Sequence, residues 1–352
     1  MRSRFGLVSA LLAALPPGAA RPGSGESVIA AFAVQDRSGD SGAAAVLDEA
    51  LRLELGERGR LVGREETRDA QRRLRLRNGD RAPAAQLHRL GTELRADWLV
   101  SATLHDTDRR LVPSLAVSVR VYSGETGELA FTTFRGGSGL DGRTLLGLGT
   151  IGDLESLVPV VVRDLVSELP AELAPASPGG ELRAALGTLA IVPFSGSTEW
   201  RATPNAETVT EAARARLFGE GIVLVSPNDT YEILRRLQAG AWGGVTAETR
   251  AALRETAGAD TILTGTVESY ETGGSESEPD PRVAVAVRLV DAASGRILWT
   301  GSSEREGWDR QGLFRRGRIY SRGALTERIM KTLITRLERD GPRGVRESGE
   351  RR

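Results

Sequence analysis

The strongest constraint on this chain is that it repeats itself over a long period. Val28-Ile29-Ala30-Ala31-Phe32 aligns with Ala190-Ile191-Val192-Pro193-Phe194 at an offset of 162, and Ala96 to Thr103 aligns with Ala259 to Thr266 at 163. From Val119 onward the offset is 168 and holds, pairing Val119-Arg120 with Val287-Arg288, Thr126-Gly127 with Ser294-Gly295, Phe131-Thr132 with Trp299-Thr300, Asp141 with Asp309 and Leu169 with Leu337. Self-similarity at a fixed period makes one copy, and not the whole chain, the unit to be folded. The step from 163 to 168 falls on the polar Gly/Pro/Ser stretch 272–281, which reads as five extra residues in a solvated loop. Pro170 to Gly180, rich in Pro, Ala and Gly, reads as a connection. The expected organisation is therefore two tandem domains, 26–169 and 188–338, joined by a linker at 170–187 and followed by a disordered tail at 339–352.

Each copy carries the same order of signals. A short apolar run (Val28 to Val34; Leu189 to Phe194) reads as a buried strand, and a helix with apolar spacing follows. Gly59 and Gly221 read as the caps that end those helices. Two further helices precede the Ala-Asp pairs at 96–97 and 259–260. Strict alternation at Leu115, Val117, Val119 and Val121, and again at Val283, Val285, Val287 and Leu289, marks a half-buried strand. Gly127 and Gly295 then close hairpin turns into a last strand. A closing helix follows, with Ser156 as its expected cap and Val161, Leu165 and Leu169 as its stripe. The fold class is α/β, a mixed sheet with packed helices, present twice.

Composition removes whole classes of chemistry. Cysteine is absent, and His88 and His105 are the only histidines, so thiol nucleophiles, disulfides and the usual zinc sets are excluded or nearly so. Lys+Arg and Asp+Glu both number 47, and a net charge of zero argues against a dedicated nucleic-acid binder. An enzyme is thereby the less favoured class, and no cofactor is expected. Residues 1–20 have the three parts of a secretory signal: Arg2 and Arg4, an apolar run from Phe5 to Leu15, and small residues suited to cleavage after Ala20. The other reading of this stretch is a buried or interfacial helix. Export without a lipobox cysteine implies a periplasmic or secreted chain, with no transmembrane segment in its mature form.

Val192-Pro193-Phe194, Gly258-Ala259-Asp260 before a strand ending Gly265-Thr266, and Arg288-Leu289-Val290-Asp291 through Ser294-Gly295-Arg296-Ile297-Leu298-Trp299 carry a family resemblance. They resemble the bacterial envelope superfamily of the TolB amino-terminal domain, CsgG-like and FlgO-like proteins and the lipoprotein activators of penicillin-binding proteins. The resemblance spans 189–337 and, more weakly, 28–169, where Ala31-Phe32 and Ala102-Thr103 depart from the pattern. It implies a non-catalytic adaptor whose partners are other envelope proteins, with a place at the outer-membrane periphery as one option. The alternative is a small-ligand or glycan binder using a cleft between the copies.

Gly147-Leu148-Gly149-Thr150-Ile151-Gly152 matches a dinucleotide fingerprint, but a helix and then a linker follow where a second strand with an acidic end is required. Gly137 to Thr144 imitates a phosphate loop with Arg143 at the lysine position. Both read better as turns. Asp97 and Asp260, and Asp141 and Asp309, recur in both copies and read as turn or cap residues. His105 beside Asp106 and Asp108 reads as a solvated strand end, with a metal cluster as the sharper option. Arginines crowd 52–81 and 305–322 among acids, either as solvated faces or as a patch for an acidic partner. Trp98 and Trp299 fall on strands and read as core. Trp200, Trp242 and Trp308 fall in loops, where they either pack under their own loops or anchor a partner or ligand.

Overall fold

The computed structural model describes residues 26–76, 81–143, 149–170, 181–196, 204–237, 245–309 and 318–342. The first half runs β1 (Val28–Ala31), β2 (Gln35–Asp36), α1 (Ser41–Gly56), β3 (Arg60–Leu61), α2 (Arg64–Arg73), α3 (Ala84–Leu94), β4 (Trp98–Asp108), β5 (Ser114–Ser123), β6 (Leu129–Ser138) and α4 (Leu154–Ser167). A short helix α5 (Glu181–Leu186) leads into the second: β7 (Thr188–Ile191), β8 (Ser195–Gly196), α6 (Pro204–Gly219), β9 (Val223–Leu224), α7 (Pro227–Arg236), α8 (Ala247–Ala257), β10 (Thr261–Gly274), β11 (Pro279–Asp291), β12 (Ile297–Glu306) and α9 (Arg322–Asp340).

Each half is a mixed sheet with one strand order. The first is β3-β1-β4-β5-β6 with β2 on β4, and the second is β9-β7-β10-β11-β12 with β8 on β10. The opening strands pair in parallel and the last three antiparallel. Alternation predicted the central strand: Val117, Val119 and Val121 face α1 and α4, while Val283, Val285, Val287 and Leu289 face α6 and α9. Each such side chain, fully buried, contributes about 1.5–3 kcal/mol.

The turns correspond bond for bond. Asp97 accepts a hydrogen bond from the Val28 amide at 2.8 Å, and Asp260 accepts one from Thr188 at 2.8 Å. Asp141 accepts from Ser138 at 2.7 Å and Asp309 from Glu306 at 3.1 Å. Gly127 and Gly295 have φ of +74° and +76°, as the hairpin turns require.

Several boundaries differ from the sequence reading. Hydrogen bonding sets Val28 against Thr188 and Phe32 against Val192, so the opening strands are related by 160 residues and not 162. Apolar side chains alone do not fix register in runs this short. The stretch 272–281 is a loop only at 275–278: β10 and β11 continue through Gly274 and from Pro279, because backbone pairing persists where the side chains are polar. Asp153, and not Ser156, caps α4, its carboxylate accepting from the Ser156 amide at 2.7 Å. Helix α1 ends at Gly56 with Glu57 as its cap, while Gly59 lies so close to the Ser27 carbonyl that a Cβ there would overlap it. The expected linker includes α5, whose Leu186 is buried, and α9 runs two residues into the expected tail. Residues 1–25, 171–180 and 343–352, with the signal and most of the linker and tail, lie outside the described residues.

The halves are packed against each other through α6 and α9. These helices lie on their own sheet and also on β4, β5 and β6 of the first half, so that Ala116 and Phe134 join the second half's core. Helix α6 is consequently buried on nearly every side, including Thr208, Thr210, Glu211 and Arg214. Gly136 and Gly323 permit the approach: a Cβ on Gly136 would overlap the backbone of Gly323 and Ala324.

Candidate functional site

The junction gathers the chain's most unusual chemistry. The Arg120 guanidinium, on β5, meets Glu211 of α6 through both arms, Nε to Oε2 at 3.0 Å and Nη2 to Oε1 at 2.7 Å. Arg214, one helical turn on, also donates to Glu211. All three side chains are at most 7 % exposed. Burial alone would raise the Glu211 carboxyl, yet Arg120 and Arg214 hold it down to about 2. Beside this triad Glu207 receives Arg81 at 3.0 Å and Arg37 at 3.7 Å. Tyr231 of α7 lies under the Arg81 guanidinium at 4.9 Å, and burial with the Glu207 charge pushes its hydroxyl up to about 12.

His105 belongs here. It was expected at a solvated strand end; instead it is 4 % exposed, because it shares the phase of Ser101 and Thr103 along β4 and so lies on the sheet face covered by α6. Its Nε2 lies 2.8 Å from Ser118 Oγ, and burial lowers its pKa to about 4. A β-bulge between Leu104 and Asp106 then sets Asp106 opposite Ala116, on this same face, but its carboxylate is taken by other partners. Asp106 takes a two-armed ion pair from Arg322 at 2.6 and 2.9 Å and a hydrogen bond from Tyr270 at 3.3 Å, and Asp108 pairs with Arg110 at 3.4 Å. Among the described residues no group of three His, Asp or Glu is placed to hold a metal ion.

Further polar contacts lock the halves together. Asn228 donates to the Ala82 carbonyl at 2.8 Å, and Glu327 accepts from the Gly136 amide with Arg135 at 3.4 Å. The junction between the halves is thus filled, and the cavity lined by His105, Glu207, Glu211 and Tyr231 has a volume of only ≈ 10 Å3. A glycan does not fit there. An open groove of ≈ 500 Å3 lies instead within the second half, beside α5, and its Asp260 and Asp291 are spent on turn bonds.

Of the loop tryptophans, Trp200 and Trp242 lie outside the described residues. Trp308 follows β12 and is 49 % exposed. Its indole Nε1 donates to Glu306 at 2.9 Å, and the Arg318 guanidinium faces both its ring, at 5.7 Å, and that of Tyr320, at 5.1 Å. Arg318 is held by the Pro279 carbonyl at 3.3 Å. The result is a half-exposed indole on a fixed mount, with the Arg318 side chain only 4 % exposed beneath it and paired with Glu278 at 3.6 Å. Trp299 is buried as expected, while Trp98 is only half-buried.

The glycine motifs do not form ligand loops among the described residues. The amides of Ser138, Gly139 and Leu140 are bonded to Asp141, Pro113 and Ser138, leaving no cradle for a phosphate. Gly147 lies outside the described residues, and Gly149 adopts φ +83° in a turn against Gly142. The arginine crowds divide. Arg64, Arg68, Arg72 and Arg73 make surface ion pairs, whereas Arg58 donates to the Val166 and Leu169 carbonyls at and just beyond the end of α4, and Arg81 and Arg322 cross the junction.

The second half has a recognisable counterpart among known sequences. Residues 230–337 match the family described as "Putative lipoprotein GNA1162-like". No curated protein matches. Solved structures similar to the chain include lipoprotein GNA1162 from Neisseria meningitidis, at 17% identity over 43% of this chain and 98% of that one, with a TM-score of 0.32. The PelC dodecamer from Paraburkholderia phytofirmans is 19% identical over 46% of this chain and 93% of that one, TM-score 0.29. The LpoB C-terminal domain from Escherichia coli is 19% identical over 34% and 87%, TM-score 0.27. Among the described residues no helix is long and apolar enough to cross a membrane.

Proposed function

We propose that this chain is a non-catalytic protein of the bacterial envelope, two copies of one unit related to the TolB amino-terminal and CsgG-like superfamily, acting as an adaptor for other envelope proteins. Residues 1–20 serve as its export signal, and the mature chain is periplasmic or secreted. The match of residues 230–337 to a lipoprotein family supports the envelope assignment. The observation that carries the adaptor role is the half-exposed Trp308 held with Arg318 and Tyr320. Tryptophan and tyrosine are prominent among the residues that dominate the binding energy of protein interfaces, and an indole held in place by the buried Arg318 loses little entropy on binding. Trp200 and Trp242, which lie outside the described residues, are proposed as further contacts.

The test is affinity capture from envelope extract with the mature protein and with Trp308→Ala. Recovery of a specific partner by the first and its loss with the second is expected. Capture that yields no specific partner, or is indifferent to Trp308, overturns the role. Since Trp308 is half exposed, its replacement leaves the fold in place, which the melting temperature checks.

A further inference from the structure

We infer that β12 is the contact by which two copies of this chain pair, edge to edge and antiparallel, into a symmetric dimer. The sheet of the second half ends on β12, ten residues long, and among the described residues no strand lies beyond it. The phase of its backbone is fixed. The Gly307 amide donates to the Pro281 carbonyl at 2.9 Å, so the odd-numbered residues of β12 bond to β11 and the even-numbered ones turn their amides and carbonyls outward. Thr300, Ser302 and Glu304 thus offer a row of open backbone groups about 14 Å long. Of these only the Ser302 carbonyl meets another group among the described residues, receiving Arg336 at 3.1 Å, and it keeps a second lone pair.

The equivalent edge of the first half is closed. Gly136 of β6, the counterpart of Glu304, has its outward amide taken by Glu327 of α9. Sheet edges are commonly blunted by lysine, proline or a bulge. The segment 300–304 has neither lysine nor proline, and the bulge of the β11–β12 pairing lies outside it, between Leu289 and Val290. A second copy is the occupant that the strand itself specifies. About a twofold axis at Ser302, Ser302 meets Ser302 of the second copy and Thr300 meets its Glu304, so every open residue is paired and two hydrogen bonds form at each pair. This register also keeps Glu304 away from its own copy, where like charges would oppose each other. With a net charge of zero the two chains do not repel as wholes. The contact is small, so the dimer is weak and forms as concentration rises. It stands apart from the adaptor reading, because Trp308 lies beyond the paired segment.

The test uses the full mature chain. Sedimentation equilibrium from micromolar to millimolar concentration should show a reversible monomer–dimer transition. Ser302→Pro removes an amide that β11 does not use, so the melting temperature of the fold should hold while the dimer dissociation constant rises at least about tenfold. The chain has no cysteine, so a single introduced one reports the register. Ser302→Cys should form an intermolecular disulfide readily, whereas Thr300→Cys, whose copies would lie about 14 Å apart, should not. A wild-type chain that stays monomeric overturns the proposal, even where Ser302→Pro abolishes capture of another protein, since the edge would then take a foreign strand. A dimer unaffected by Ser302→Pro, or cross-linked equally well through position 300, overturns it too. The cysteine variants decide the matter if the proline variant misfolds.

Discussion

The two sheets are alike in strand order and turn bonding, yet the same face has opposite fates in the two halves. On the first, β4–β6 lies under α6 and α9; on the second, the matching face of β10–β12 carries exposed Arg288, Thr300, Ser302 and Glu304. The positions correspond through pairing, Ala116 with Gly136 in one sheet and Ala284 with Glu304 in the other. Where the covered face has Gly136, Phe134 and Arg120, the bare face has Glu304, Ser302 and Arg288. The helices differ in the same sense, since Gly323 of α9 corresponds to the exposed Glu155 of α4. The same strand order thus presents a partner face or a solvated one according to a few side chains, chiefly those that set how closely a helix approaches. Acidic residues at both outer glycine-equivalent positions also keep the junction from being repeated at either end.

The sharpest way to break this comparison is to make the covered face resemble the bare one. Gly136→Glu places a side chain where the backbone of α9 lies, and a loss of more than about 4 kcal/mol by chemical denaturation is expected. Glu304→Gly, the reverse change on the bare face, should cost no more than about 1 kcal/mol. Next in size is Glu211→Gln, which leaves Arg120 and Arg214 buried without their counter-charge and should cost about 3–5 kcal/mol. Its counterpart Glu49 is exposed on the outer side of α1, and Glu49→Gln should stay within about 0.5 kcal/mol. Equal losses for Glu211 and Glu49 would mean that the junction is not the buried contact described.

The contrast also explains what was legible in the sequence. Each sheet was, because its strands alternate, its turns place glycine where φ is positive, and Asp97 and Asp260 recur before matching strands. The junction was not. Glu211 and Arg214 occupy what a single amphipathic helix would expose, and only a helix covered on both sides buries them. One signal was available: α6 is built from small residues on several faces, Ala206, Ala212, Ala213 and Ala215, which permits packing on two sides. His105 was misplaced because the face of β4 that it shares with Ser101 and Thr103 is polar, and nothing local shows that a helix of the other half covers it. The loop tryptophans drew attention by residue type, and of the three only Trp308 has a described setting.

A smaller effect separates the halves by pH. Burial raises Glu327 to about 7 despite the Gly136 amide and Arg135; its counterpart in α4 is Pro159, with nothing to titrate. A carboxyl whose folded pKa exceeds its unfolded value, near 4.5, binds more protons when folded, so its contribution to stability is full below pH 4.5 and is lost as pH rises to 7. His105 acts oppositely: its pKa, lowered from 6.5 to about 4, means stability is lost as pH falls through that window. Glu327→Gln imitates the protonated acid and keeps an acceptor for the Gly136 amide. It should match the wild type at pH 4.5 and exceed it at pH 7.5. With 28% of the side chain exposed, solvent screening holds the gain to roughly 1–2 kcal/mol. A variant equally stable relative to wild type at both pH values would place Glu327 in solvent as an ordinary carboxylate.

The smallest expected effect probes where the halves should agree. Asp97 and Asp260 each accept one amide at 2.8 Å, from Val28 and Thr188, at the entry to the same central strand. Both bonds lie at the exposed end of their sheets, so neither is reinforced by the junction. Replacing either aspartate with asparagine keeps a carbonyl acceptor and removes the charge that strengthens the bond, a change of about 0.5–1.5 kcal/mol. The two single variants should therefore be indistinguishable in denaturant midpoint, and the double variant should equal their sum, because distant sites without shared partners act independently. A clear inequality between Asp97→Asn and Asp260→Asn would show that the likeness of the two turns is geometric only, and that the junction reaches further into the energetics of the first sheet than its contacts indicate.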